Sequence, residues 1–500
     1  MKNLSAKNVL VLGLGQSGLA LARWCVRSGA SVTVADTRAA PPQLDALHST
    51  LPQAVFVCAP LDEALFGSAV FDMVLKSPGL SPLSIAAITD AAAARGTAVG
   101  NELSIFSQVL EELQTDHAYA PQVIGITGTN GKTTVTALTA QLVARAGKSV
   151  VMAGNIGPTL LDTLAECLDA QQLPDVWVLE LSSFQLDGVH NFEPTVATVL
   201  NISQDHLDWH ETNAAYAAAK ANIYGSTACL LLNRNDAQVM ASKPIDSKGK
   251  PPRKYTTFGL DEPQRPGDYG IKTLNGIAWL VRAAELDESI KPKRGSKAEA
   301  VELFIQRLMP VDALRIAGLH NAANALAALA LANAVGCAMA PTLHGLREYR
   351  GEPHRVQPVA VVDGIEYFND SKGTNVGATV AALSGLGAGR KLVVILGGEG
   401  KGQDFSPLLQ PVLRYARAVV LIGRDAPLIR SALKEASAVL FNAASMAEAV
   451  SLATSHAELG DAVLMSPACA SFDMFDNYEH RAHAFCDAVA ALAVDRGVTL

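Results

Sequence analysis

The stretch V-I-G-I-T-G-T-N-G-K-T-T, Val123–Thr134, constrains this chain more than any other. A short apolar run enters a glycine-rich turn, followed by Lys132, Thr133, Thr134 and a helical pattern from Val135 to about Ala146. That order predicts strand, phosphate loop and helix. Backbone N–H groups freed by the glycines, with the positive end of the helix, make a cradle for phosphate oxygens. The expected cradle is Gly128, Thr129, Asn130 and Gly131, with Thr134 closing it. Lys132 adds a mobile charge toward the terminal phosphates, and the Thr133 hydroxyl is placed for Mg²⁺. The spacing departs by one residue from the G-x-x-x-x-G-K-S/T pattern, because Ile126 stands where the first glycine belongs and Gly125 comes one place early. A plain strand-to-helix turn is the alternative, but the order of strand, G-K-T-T and helix favours a nucleoside triphosphate site.

A chain of 500 residues suggests about three domains. With 49% hydrophobic residues it can bury ample core, and a formal charge of −8 supplies no positive field for nucleic acid. The basic clusters Lys248–Lys254 and Lys291–Lys297 are short, interrupted by Pro or Gly, and expected in exposed loops. Seven scattered cysteines without a C-x-x-C pair fit a reducing cytoplasm. No secretory signal is expected, since a strand pattern starts almost at once. The most apolar long segment, Ala322–Ala340, is Ala-rich and broken by Asn324, Asn333 and Gly336, so it reads as a buried helix rather than a membrane span.

Residues 1–115 read as a Rossmann-like α/β unit. The strand Asn8–Leu12 meets Gly13-Leu14-Gly15-Gln16-Ser17-Gly18, a helix runs through Arg27, and a second strand, Ser31–Ala35, ends at Asp36-Thr37-Arg38. Asp36 lies at the spacing where a dinucleotide fold bonds a ribose. The fingerprint alone leaves three readings open: NAD(P), another nucleotide such as UDP, or helix–strand packing. Val74–Gly79 is a second strand-to-turn junction where a pyrophosphate could lie, and the polar stretch Glu111–Ala120 reads as a linker.

Residues 116–350 carry the phosphate loop. Asp175–Leu181 is an apolar run ending in Glu180, a carboxylate where a Mg²⁺ ligand is needed beside such a loop. Thr195–Ile202 reads as a strand running into Gln204-Asp205-His206-Leu207-Asp208, so that His206 is expected to close a strand on the same sheet edge. In the helix Asn213–Tyr224 the one cation among six alanines is Lys220. By local letters alone, His206 is a hydrogen-bonded structural residue and Lys220 a solvated lysine. Residues 226–312 read as strands and loops at the domain edge, with a polar insertion around 288–300.

The motifs G-I-T-G-T-N-G-K-T-T, L-E-L-S-S-F-Q-L, N-I-S-Q-D-H-L-D and A-A-K-A-N-I-Y, in this order, resemble the Mur ligase family of ATP-dependent amide ligases. The family's phosphate loop is one residue longer than the general pattern, which accounts for the mismatch. The resemblance implies that Thr133 and Glu180 bind one Mg²⁺. His206 would bind a second, together with Lys220 in carbamylated form. It also implies that Asn321 and Asn324, in G-L-H-N-A-A-N, approach adenine, and it puts Gln204 where many relatives have an acidic residue.

Residues 351–500 read as a third α/β domain, Rossmann-like with a mostly parallel sheet, entered through Gly351-Glu352-Pro353-His354-Arg355. Its strand exits carry N-D-S-K-G-T-N, G-G-E-G-K-G and S-P-A-C-A-S-F-D. Ligands bind at such carboxyl ends, and the lysines and hydroxyls there, with Lys372 and Lys401 expected on neighbouring exits, suit a dicarboxylate. These motifs resemble most closely the family members that add D-glutamate to UDP-N-acetylmuramoyl-L-alanine. On that resemblance Arg355 and Asp370 contact ATP, and Lys372 lies near the transferring phosphate. Thr374, Lys401, Ser471 and the backbone near Tyr478 hold D-glutamate, with Tyr where the family usually has Phe. Ser17, Asp36 and Thr37 meet the UDP part of the acceptor, and Asn155 lies along its acyl chain. The implied enzyme is a cytoplasmic monomer of three domains, with no nucleic-acid or membrane partner. A sibling ligase for another amino acid, an NAD-dependent oxidoreductase and a non-catalytic nucleotide switch are the competing readings.

Overall fold

The computed structural model describes residues 4–67, 69–245, 252–285, 303–316 and 318–498. The insertion around 288–300, the basic run 291–297 and most of 248–254 lie outside these residues. Three sheets organise the chain, of five, nine and six strands, and the α/β class expected from the sequence is what is found.

In the first sheet the strand Asn8–Leu12 sits between Ser31–Asp36 and Met73–Lys76, all parallel. Val9 through Leu12 are fully buried, as a continuous apolar run must be when both faces of a parallel strand are covered. The chain winds one way from Asn8–Leu12 and then crosses to the other side at Met73–Lys76. Loops diverge at that switch point and leave a crevice. The turns Gly13–Ser17 and Ser77–Gly79 line it. Glu111–Ala120 is not a loop: the helix Glu102–His117 covers most of it and ends at Ala118 in the left-handed region. Its buried face (Leu103, Phe106, Val109, Leu113) supplies the helical period that overrides the surface polarity of the segment.

The middle sheet places the strand Gln122–Thr127 between Val176–Glu180 and Val196–Val199. Parallel register sets Ile126 beside Glu180 and Glu180 beside Gly154. Glu180 and Asn155 therefore emerge next to the phosphate loop. The loop helix, Lys132–Arg145, packs against Leu319–Ala334 and Met339–Glu348. Alanines at 322, 325, 327, 328 and 332 are fully buried, and their small side chains let these helices approach closely. No helix among the described residues is long and apolar enough to cross a membrane.

The first two domains share one core, in which Phe106 meets Trp177 edge to face at 5.3 Å. Arg27 pairs bidentately with Asp169 and Lys76 with Asp187 across the same boundary. The third domain has separate cores on the two faces of its sheet. In it, Gln357–Val362 and Ile365–Asn369 form an antiparallel pair and the other neighbours are parallel. Ala462–Met465 lies between Ile365–Asn369 and Leu392–Gly397. The exits bearing Lys372 and Lys401 are thus next but one, with the S-P-A-C-A-S loop between them, and not neighbours as the chain order suggested.

Candidate active site between three domains

Gly131 adopts φ 83°, and a Cβ there would stand 2.7 Å from Asn324 Oδ1. Only glycine lets the phosphate loop lie this close to the helix Leu319–Ala334. Asn201 pins the loop by accepting from the Asn130 N–H at 2.8 Å and donating to its carbonyl at 3.0 Å. Lys132 folds across its own loop, donating to the carbonyls of Gly128 and Thr129 at 2.9 and 2.8 Å. Burial pushes its ammonium down, against the opposing pull of Glu180 and Asp205.

Glu180 is buried. Asn155 Nδ2 donates to its Oε1 at 2.8 Å, and Oε2 has no hydrogen-bond partner among the described residues. Asn155 therefore stands on Glu180. Lys220 is 1% exposed, the opposite of the solvated lysine its local letters suggest. Its Nζ donates to Gly128 O at 3.0 Å and lies over the Tyr216 ring at 4.5 Å. Burial, and then the neighbouring Lys132, drive its pKa well below the usual lysine value. His206 does not close a strand. It lies beyond Val196–Val199, at φ 53° before the short helix Leu207–His210, with its ring against Phe184. Burial pushes its pKa down, against the pull of Asp205, and Lys132, Lys220 and Lys401 push the same way. Gln204 is exposed.

The third domain reaches this cluster directly. Arg355 Nη2 donates to Thr133 Oγ1 at 2.5 Å, and Asn375 Nδ2 to Asn130 Oδ1 at 3.0 Å. Lys372 lies 3.6 Å above the Tyr478 ring. Burial, then Arg355, push its amine down to about 8, with Glu180 and Lys132 also within electrostatic reach. A cavity of about 390 Å³ runs from Gly131 and Thr134 past Asn321 and Asn324 to Arg355 and Asp370. Asn324 Nδ2 donates to Asn321 Oδ1 at 3.1 Å. Asp370 accepts from Ser466 at 2.6 Å, and burial raises it to about 7.

At the remaining exits, Glu399 and Ala470 exchange backbone hydrogen bonds at 2.9 Å, joining the loop of Lys401 to that of Ser471. Lys401 Nζ is 5.7 Å from the Phe472 ring. Arg481, buried, donates to Ser371 O and Cys469 O and holds the loops of Thr374 and Ser471 together. The Tyr478 carbonyl accepts from Ser371 Oγ. The Tyr478 N–H stands at the start of the helix Tyr478–Asp495.

In the first domain Ser17, Asp36 and Thr37 line a cavity of about 460 Å³ with Gly13 and Ser77. Arg38 clamps Asp36 through two hydrogen bonds and holds its carboxyl down at about 2.

The family model described as "Mur ligase middle domain" matches residues 126–332, "Mur ligase MurD-like, N-terminal domain" 7–100, and "Mur ligase, glutamate ligase domain" 354–469. The chain belongs to the Mur ligase family. This Mur ligase is 61% identical to the UDP-N-acetylmuramoylalanine--D-glutamate ligase of Albidiferax ferrireducens, over 99% of this chain and 98% of that one. It is 56% identical to the enzyme of that name from Ralstonia nicotianae, over 100% and 99%. Among solved structures it resembles the MurF ligase of Thermotoga maritima in complex with ADP, at TM-score 0.57 and 15% identity over 99% of this chain and 100% of that one. It also resembles the UDP-N-acetylmuramate-alanine ligase of Thermotoga maritima, at TM-score 0.54 and 18% identity over 97% and 100%. Those two likenesses concern the fold.

Reading the letters of this Mur ligase missed Asn201, Asp205, Tyr216, Asn375 and Arg481. Tyr216 and Lys220 are four apart on one helix, a spacing that puts them on one face. The others act across distant segments and left no local signal.

Proposed function

We propose that this Mur ligase adds D-glutamate to UDP-N-acetylmuramoyl-L-alanine with cleavage of ATP, as a cytoplasmic monomer without nucleic-acid or membrane partners. The printed names of its 55–61% identical relatives support the substrates. The observation that carries the reading is the reach of Arg355, at the entry to the third domain, onto Thr133 of the phosphate loop.

UDP lies in the cavity of Ser17, Asp36 and Thr37, and adenine in the one lined by Asn321 and Asn324. The lactoyl-alanine carboxylate attacks the γ-phosphorus, the bond to ADP breaks, and an acyl phosphate results. The amine of D-glutamate, its ammonium proton given up to solvent, then attacks the acyl carbon, and the tetrahedral adduct expels phosphate as its nitrogen loses a second proton, leaving the amide. Lys132 and Arg355 offset repulsion between two anionic reactants in the first step. Thr374, Lys401, Ser471 and the Tyr478 N–H hold the glutamate carboxylates, and Lys372 stands by the transferring phosphate.

Among the described residues no three His, Cys, Asp or Glu side chains form a ready metal site. The donors present nevertheless fit Mg²⁺: the unpartnered Glu180 Oε2 with Thr133, and His206 with a carbamate on Lys220. Such ions supply charge neutralisation between phosphate oxygens and the attacking carboxylate. Burial disfavours the charged form of Lys220, and the neutral amine is the form that reacts with carbon dioxide. The deciding experiment measures phosphate release with ATP and the UDP-sugar acceptor while the amino acid is varied. Release with D-glutamate, and not with L-glutamate, L-alanine or a diamino acid, is expected; release driven by another amino acid overturns the assignment.

A further inference from the structure

Asn375 is 6% exposed, and every polar atom of its side chain is committed. It caps the helix Val376–Gly387, its Oδ1 accepting from the Ala378 N–H at 2.9 Å. An amide offers one acceptor and one two-proton donor, so the cap settles which end faces away from the helix. Nδ2 donates to Asn130 Oδ1 of the phosphate loop at 3.0 Å and to Asp205 Oδ2 at 3.4 Å. Each partner is tied onward. Asn201 grips the Asn130 backbone from both sides, and Asp205 Oδ2 lies 3.7 Å from His206 Nε2. Gly377 permits the approach, since a Cβ there would come within 3.1 Å of Asn130 Nδ2 and 3.2 Å of Ser203 Oγ. The residue before Asn375 is Thr374.

We infer that Asn375 is a positioning residue that sets the amino-acid loop of the third domain in register with the phosphate loop and with His206. This rests on the ligase reading above. Its two donors span the seam where the phosphoryl donor and the incoming amine must be brought into one alignment. A displacement of about 1 Å there is enough to cost orders of magnitude in rate.

The test uses substitutions that keep the helix cap. Asn375→Ser removes both amide N–H donors, leaves only a shorter hydroxyl that serves the cap, and adds no charge. Asn375→Asp removes both donors and sets a carboxylate against Asp205. Ser, Asp and Asn cap about equally well, so a role confined to capping leaves both variants at wild-type turnover. The positioning role lowers kcat for amino-acid-dependent phosphate release on the order of tenfold in Asn375→Ser. The loss is greater in Asn375→Asp, while KM for ATP and the thermal midpoint of Asn375→Ser stay near wild type. Adding Asn130→Ala to Asn375→Ser costs little more, because both remove one shared bond. Wild-type turnover in Asn375→Ser, or losses that multiply in the double variant, overturn the inference. If the wild type responds to an amino acid other than D-glutamate, the substrate reading fails, and the same kcat ratio measured with that amino acid still decides the role of Asn375.

Discussion

Asn155 holds one oxygen of Glu180 at 2.8 Å and leaves the other, buried, without a hydrogen-bond partner among the described residues. A buried carboxylate oxygen left bare is costly unless a cation meets it. Partners behind a metal ligand typically contribute about 10- to 100-fold in metal affinity. Asn155→Ala is therefore expected to raise the Mg²⁺ concentration for half-maximal turnover by about tenfold. Glu180→Gln is expected to abolish turnover at any Mg²⁺ concentration. Magnesium titrations of phosphate release check both, and an unchanged midpoint in Asn155→Ala would remove Asn155 from this role.

Lys132 is the one charge on the phosphate loop itself. Two unit charges 4 Å apart interact by about 4 kcal/mol at an effective dielectric of 20, or about a thousandfold in rate. Lys132→Ala should lose turnover on that order. Single-turnover measurements with saturating ATP distinguish this from weakened binding, and a variant with near-normal rate would remove the residue from phosphoryl transfer.

Lys372 titrates at about 8, below the ordinary lysine value, because burial disfavours its charge and Arg355 adds to the effect. It is charged below that pH and neutral above it. Its attraction for phosphate is present at pH 7 and lost as pH rises through about 8. Since kcat/KM reports groups of the free enzyme, kcat/KM for ATP is expected to fall on the alkaline side with that midpoint. Lys372→Arg, charged throughout, should abolish this limb. A limb that persists in the arginine variant belongs to another group.

Lys220, buried beside Lys132, is held toward its neutral form. Carbamylation predicts that turnover declines in buffer stripped of carbon dioxide and returns with bicarbonate. Isotopically labelled bicarbonate should place a carbamate signal on wild-type protein and none on Lys220→Ala. Full activity without carbon dioxide would count against the modification.

Gly18 lies in the first turn of the helix Gln16–Arg27, against the turn that precedes it. A Cβ there would be 1.9 Å from the Gly13 carbonyl oxygen, and backbone cannot yield as a flexible side chain can. Gly18→Ala is expected to destabilise the protein by about 2 kcal/mol or more and to raise KM for the UDP-sugar. Thermal denaturation and acceptor kinetics check the two effects. Wild-type values for both would show that the turn can open.

Much of the fold was legible because its signals are local. The continuous apolar runs of parallel strands, the glycine turns after Leu12 and Thr127, and the alanine-rich helix each follow from residues close in the chain. The helix Glu102–His117 was not legible over its second half. Its letters there are mostly polar, and past Val109 only Leu113 marks the buried side. His206 was misplaced because the strand ends at Val199, seven residues before it, and nothing in N-I-S-Q-D-H marks where the strand stops.

The sequence by itself determined the donors: a phosphate loop, an acidic strand end, and lysines and hydroxyls at three strand exits, each fixed by short-range periodicity and turn chemistry. Only the tertiary structure decided their states and partners. Lys220 and Lys132 share one buried space, Asn155 turns one oxygen of Glu180, and Arg355 and Asn375 cross from one domain to the phosphate loop of another. Burial and long-range register set these relations, and both come from how sheets and helices stack, which no short stretch of letters contains.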